Sequence, residues 1–173
     1  MNYYYLIASL PGLTLEAEPP FAPPRFEALG REHLTPPDQA VFSALLQARP
    51  DQPPPNHPFC RAWHDRETLL RNAVVRLRAA RRNIDPAPFL RPAATLDLSL
   101  EKAVAEAFTR PHPGDRELEL DRIRWRTAEE LAGYDPFAFD ALLAYAVRFG
   151  LVTRRHGLTE PRGRERLESL LTL

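Results

Sequence analysis

Few side chains in this sequence are spaced for chemistry, and the first to weigh are His57, Cys60 and His64. They form a His-x2-Cys-x3-His cluster, and Cys60 and His64 share a face if the segment is helical. Structural zinc takes four thiolate or imidazole ligands. No fourth ligand lies near in sequence, and Arg61 and Arg66 add positive charge. The cluster therefore reads as a buried thiol beside a surface histidine, and no metal is expected. Glu129-Glu130, and Glu117 with Glu119, are the nearest thing to paired carboxylates. A working acid–base pair needs surroundings that split its two pKa values, whereas these glutamates sit in charged helical stretches that read as solvated faces. There is no Gly-x-Ser-x-Gly, no cysteine set for a histidine partner and no glycine-rich phosphate loop. The chain reads as non-catalytic, with no cofactor, no small-molecule substrate and no ATP binding.

What remains is a charged face. Between 60 and 83, Leu69, Leu70, Ala73, Val74, Leu77 and Ala80 fall on one stripe at helical spacing, and Arg71, Arg78 and Arg82 fall together on the other side. Most such faces are simply solvated. In a chain without site chemistry, these three arginines are also the candidate contact surface for an acidic partner, chosen by charge complementarity.

The elements that position these residues are helical. The periodicity predicts helices over 25–33, 37–48, 60–83, 99–109, 115–131, 136–149 and 160–171, which makes the fold class all-α. Thr35 before Pro36-Pro37 marks one helix start, Asp97 or Ser99 caps another, and Asp85-Pro86 stops the long helix. The run Tyr3–Leu10 suits helix or strand equally. The segment 136–149 is apolar nearly all round, so it should be the buried centre. Its expected signals are Asp135 as N-cap, Pro136 at the first helical position, Tyr134 and Phe139 as a hydrophobic staple, and Gly150 as the C-terminal cap. Pro19-Pro20, Pro23-Pro24 and the stretch 50–58 read as stiff connectors. The chain is expected to form a single helical domain over 1–173, with 115–173 as a C-terminal helical module.

That C-terminal third also resembles a winged helix, with Leu151–Leu158 as a small β-hairpin turning at His156-Gly157. This is the alternative reading, a nucleic-acid-binding regulator. The would-be recognition helix presents Phe137, Phe139 and Asp140 where major-groove readers carry Arg, Asn or Gln. Arg154 and Arg155 on a neutral protein make a weak phosphate footprint. Protein contact is the better use of such a shape.

Composition sets outer bounds. The chain has 173 residues, 23 basic and 23 acidic side chains, and a formal net charge of zero, so no global field steers it to polyanions. Lys102 is the only lysine, so the other basic residues are all arginine, the better residue for fixed carboxylate contacts. Cys60 is the only cysteine, which fits a reducing compartment. The apolar stretch at the start is too short to span a bilayer. A cytoplasmic location is expected, with any membrane association made through other proteins.

Two motifs add a resemblance. Near its start the sequence reads Tyr3-Tyr4-Tyr5-Leu6-Ile7-Ala8-Ser9-Leu10-Pro11. Towards its end come Asp121-Arg122-Ile123-Arg124-Trp125, Leu143-Ala144-Tyr145 and Val152 to Arg155. In these it resembles a bacterial family of unassigned function encoded beside the subunits of V-type (A-type) ATPases. Glu67 to Pro86 is more weakly similar to part of the ATPase C (d) subunit, an all-helical socket between central stalk and membrane ring. The resemblance implies a non-catalytic stalk subunit or assembly factor, with ATPase subunits as partners and no catalytic residues.

Overall fold

Proline sets where many of the helices start. The computed structural model describes residues 3–48, 52–93 and 95–158. Its α-helices are α1 (Tyr4–Ser9), α2 (Pro23–His33), α3 (Pro36–Leu46), α4 (Pro58–Arg82), α5 (Leu98–Ala107), α6 (Pro113–Leu131) and α7 (Phe139–Gly157), with a 3-10 turn at Ala87–Phe89. Four of the seven begin on proline, whose fixed φ suits the first turn and whose missing N–H is not needed there. The described residues are all-α, without a strand. The Tyr3 run resolves as helix. The expected helix at 160–171 lies outside the described residues.

The helices gather into two compact units, one made of Met1–Ala48 with Ala132–Leu173 and the other of Arg49–Leu131. The expected module at 115–173 is not one of them, because α6 packs on α4 and α5.

In the first unit α7 packs on α3, and α3 on α2. Leu142, Leu143 and Ala144 on α7 are fully buried. The Phe26 ring lies 5.0 Å from Phe42, 5.5 Å from Tyr145 and 4.9 Å from Phe149, which makes an aromatic centre. Gly30 is required for it, since a Cβ there would come within 2.5 Å of the buried Phe42 ring. The start of the chain is pinned to this core. Tyr3 N–H donates to the Phe137 carbonyl at 2.9 Å, and its hydroxyl donates to Asp38. The Tyr145 hydroxyl donates to the Pro11 carbonyl at 2.9 Å, and burial, opposed in part by Arg148, pushes that phenol up to about 12.

The expectations at both ends of α7 are corrected. No hairpin forms over 151–158, because α7 runs on to Gly157. The apolar period continues through Phe149 and Val152, both buried, so breaking the helix would expose Val152. Gly150 is therefore no cap. It lies on the open side, where an added Cβ would meet nothing within 4 Å. At the other end the helix starts at Phe139 after Ala138. Asp135 instead closes a turn by accepting from the Phe137 N–H at 2.9 Å. Tyr134 is fully exposed, so it staples nothing.

The second unit is a three-helix packing of α4, α5 and α6. Leu70, Ala73, Val104, Ala107, Phe108, Leu120 and Ile123 form its core, flanked by Val74 and Leu77. Asp97 caps α5 by accepting from the Leu100 N–H at 3.0 Å. Asn83, with φ of 56°, ends α4 in the left-handed region before Asp85-Pro86 is reached. Asn72 on α4 holds the following loop through two hydrogen bonds to the Arg91 backbone, at 2.8 and 2.9 Å.

Full burial of Leu142 and Leu143 predicts that Leu142→Ala costs about 2–5 kcal/mol. Asp135→Ala, losing one exposed turn contact, should cost only about 0.5–1.5 kcal/mol. Urea melts of the two variants check the order.

Candidate functional site

The three arginines singled out from sequence do not share one fate. Arg71 belongs to the interior. Its Nε donates to Glu67 at 2.9 Å, and its side chain is only part-exposed. Glu67 also receives Arg124, whose Nε and Nη2 reach it at 3.0 and 3.2 Å. Arg124 Nη1 then donates to Asp121 at 3.0 Å, and Asp121 has no solvent exposure. The result is an ionic chain from α4 to α6. It exists because Arg124 and Asp121 stand three apart on α6, and Arg71 and Glu67 four apart on α4, so each pair shares a face.

Burial alone would push the Glu67 carboxyl up, but the Arg124 charge and the hydrogen bonds from Arg124 and Arg71 outweigh it, and its pKa lies below the ordinary value. Burial pulls Arg124 down, yet Glu67 and Asp121 hold it above its ordinary value. Both directions describe one well-paired buried ion cluster. A shallow pocket of about 270 Å³, counting its open mouth, lies beside it and is lined by Trp63, Arg66, Leu70, Leu100 and Thr127 as well as Glu67 and Arg124.

Arg78 and Arg82 lie elsewhere, exposed in the last turns of α4. There α4 and α5 finish and α6 begins, around the buried ring of Phe108. The guanidinium carbons of Arg81, Arg78 and Arg116 stand 5.2, 5.7 and 5.9 Å from the centre of that ring. Arg81 also donates to the Phe108 carbonyl at 3.0 Å. Arg116 donates to the carbonyls of Arg110 and Pro111 at 2.6 and 3.1 Å. These carbonyls end α5 or follow it, where backbone acceptors are left over and cations are favoured. Among the described residues, no carboxylate pairs with Arg78, Arg81, Arg82 or Arg116. The nearby Glu119 is taken by Arg110 and Arg122, each at 3.0 Å. The outcome is a cap of three guanidinium groups over one phenyl ring, with the exposed Arg82 one turn beyond Arg78 on α4.

The other candidates assemble nothing. Cys60 is buried. No group of three or more His, Cys, Asp or Glu suited to a metal ion occurs among the described residues. Glu129 accepts the Trp125 indole N–H at 2.8 Å, and Glu119 serves the two arginines already named. Sequence reasoning missed Arg81, Arg116 and Phe108 in the cap, and Glu67, Asp121 and Arg124 in the interior. The i, i+3 spacing of Asp121 and Arg124 and the i, i+4 spacing of Glu67 and Arg71 were the visible signals.

No family model matches the chain, no curated protein matches it, and no solved structure matches its fold.

Arg124→Ala should cost about 3–5 kcal/mol, because it removes the cation that bridges Glu67 and Asp121 away from solvent. Arg78→Ala should cost under about 1 kcal/mol, the scale of an exposed cation over a ring. The depressed Glu67 pKa gives a sign for acid as well. Its stabilisation is complete above the unfolded-state value of about 4.3 and is lost as pH falls through the lower folded value. The stability gap between the wild type and Glu67→Gln should therefore be constant at neutral pH and shrink below about pH 4. Urea melts across that range check it, and a gap that does not shrink would refute the assignment.

Proposed function

We propose that this chain works by protein–protein contact, as a non-catalytic stalk subunit or assembly factor of a bacterial V/A-type ATPase. The observation that carries the contact reading is the arginine cap from α4 and α6 over Phe108, whose three guanidinium groups, like the neighbouring Arg82, have no carboxylate partner among the described residues. Uncompensated charge on a chain of zero net charge gives specificity for a partner of opposite sign. The ATPase assignment rests on the sequence resemblance, and an all-helical body suits a stalk component.

The motif residues divide into two roles. Asp121, Ile123, Leu143, Ala144 and Tyr145 are buried, and Arg124 is nearly so, so they keep the scaffold in shape. Tyr4 and Tyr5 are 54% and 87% exposed, and Tyr4 packs on Phe137 at 4.5 Å. Exposed tyrosines offer contact area at low entropic cost. In this reading the interior is rigid and the faces do the work, by docking rather than by chemistry. No helix among the described residues is long and apolar enough to cross a membrane. Attachment to a membrane complex would come through the ATPase subunits.

The nucleic-acid reading loses its wing, since α7 is continuous where the hairpin was expected.

Tagged full-length chain, co-expressed with the V/A-type ATPase subunits of its native genome, should co-elute with at least one stalk or ring subunit identified by mass spectrometry. Absence of every ATPase subunit from the eluate at low salt would overturn the assignment.

A further inference from the structure

We propose that the arginine cap of Arg78, Arg81 and Arg116 around Phe108, together with the exposed Arg82 one turn along α4, is a docking site for an acidic segment of a protein partner, with carboxylates spaced one helical turn apart. This rests on the reading of the chain as a contact protein, but not on which assembly it serves.

Three features of the cap fit carboxylates. Arg78 and Arg82 are four residues apart and exposed, so both forks project from one face of α4. A partner helix with glutamates four apart presents the matching spacing. Arg81 and Arg116 are already held by backbone carbonyls, Arg81 through Nη2 and Arg116 through Nε and Nη2. Their remaining N–H groups are therefore fixed before a partner arrives, which lowers the ordering cost of binding. A guanidinium with donors to spare pairs a carboxylate through two parallel hydrogen bonds, a geometry lysine lacks.

Phosphate-bearing partners fit less well. Proteins that hold single-stranded nucleic acid combine positive charge with aromatic faces for the bases. Phe108 is only 6% exposed and lies beneath the guanidinium groups, so it has no face to offer. Duplex binding draws on many phosphate contacts, whereas this cap is compact and sits on a chain of zero net charge.

The test is fluorescence anisotropy at low salt, with the full-length chain and a labelled helical peptide of Glu-Ala-Ala-Ala repeats. A labelled DNA duplex and vesicles containing phosphatidylserine are run alongside. Binding of the peptide is expected, weakening as salt rises. The R78E/R82E double variant should lose about tenfold or more in affinity, as like charges then meet across the contact. Arg25 and Arg31 are exposed on α2, so R25E/R31E makes the same change in net charge away from the cap and should bind as the wild type does. Circular dichroism melts establish that both doubles remain folded, and R78A/R82A repeats the comparison without introducing acid groups. Equal losses in the R25E/R31E and R78E/R82E variants would show only bulk charge and overturn the proposal. So would no peptide binding, or tighter binding to the duplex or the vesicles. Peptide binding without capture of any ATPase subunit would keep the acidic site and remove the ATPase assignment. Capture without peptide binding would do the reverse.

Discussion

A proline has no amide hydrogen and a nearly fixed φ, so a helix can begin at one but does not run through it undisturbed. With 19 prolines in the chain, this constraint cuts the sequence into the helices that form. Pro23, Pro36, Pro58 and Pro113 each open a helix, and the preceding Ala22, Thr35 and His57 are extended, as residues before proline prefer. The long stretches free of proline after these starts become α4 and α6, and a third becomes α7. Where a helix starts helps fix which residues share a face, and so which face is left to bury.

In the second unit the buried face is not purely apolar. Arg124 bridges Glu67 and Asp121 in the interior beside the core of Leu70, Ala73, Leu120 and Ile123. Two charged groups withdrawn from water gain little net stability over apolar replacements, while removal of one alone is costly. The arrangement does act on geometry. It joins α4 to α6 at the level of Glu67 and Arg71, while Arg78 and Arg82, about two and three turns further along the same face of α4, stay exposed. The cap over Phe108 follows from the same packing, because the ends of α4 and α5 and the start of α6 are brought to one place.

The division of labour suits a protein that acts by contact. Buried residues of the motifs preserve shape, and arginines without a carboxylate partner and exposed tyrosines face outward. Guanidinium groups already held by backbone carbonyls, as those of Arg81 and Arg116 are, lose less entropy on pairing with a carboxylate. The two units supply different chemistry for this, aromatic in the first and cationic in the second.

The amino-acid sequence by itself determined that the fold is helical and placed α2 to α6 closely. Apolar spacing, proline and capping residues are local signals, and helix formation is a local event. It also determined that Leu142 and Leu143 lie inside, since a segment apolar on nearly every side has nowhere else to go. It misjudged the ends of α7, because Gly150 and Asp135 are terminators only when the surrounding packing agrees. Burial of Val152 outweighed a glycine cost of about 1 kcal/mol. The grouping of the site was decided by tertiary structure alone. Arg71, Arg78 and Arg82 look alike on a helical projection, but Glu67, itself held by Arg124, pairs with the first, and Phe108 gathers Arg78 with Arg81 and Arg116 from two helices. The contacts that join the helices into these groupings link residues 27 and 57 positions apart, and a local pattern carries no record of such distances.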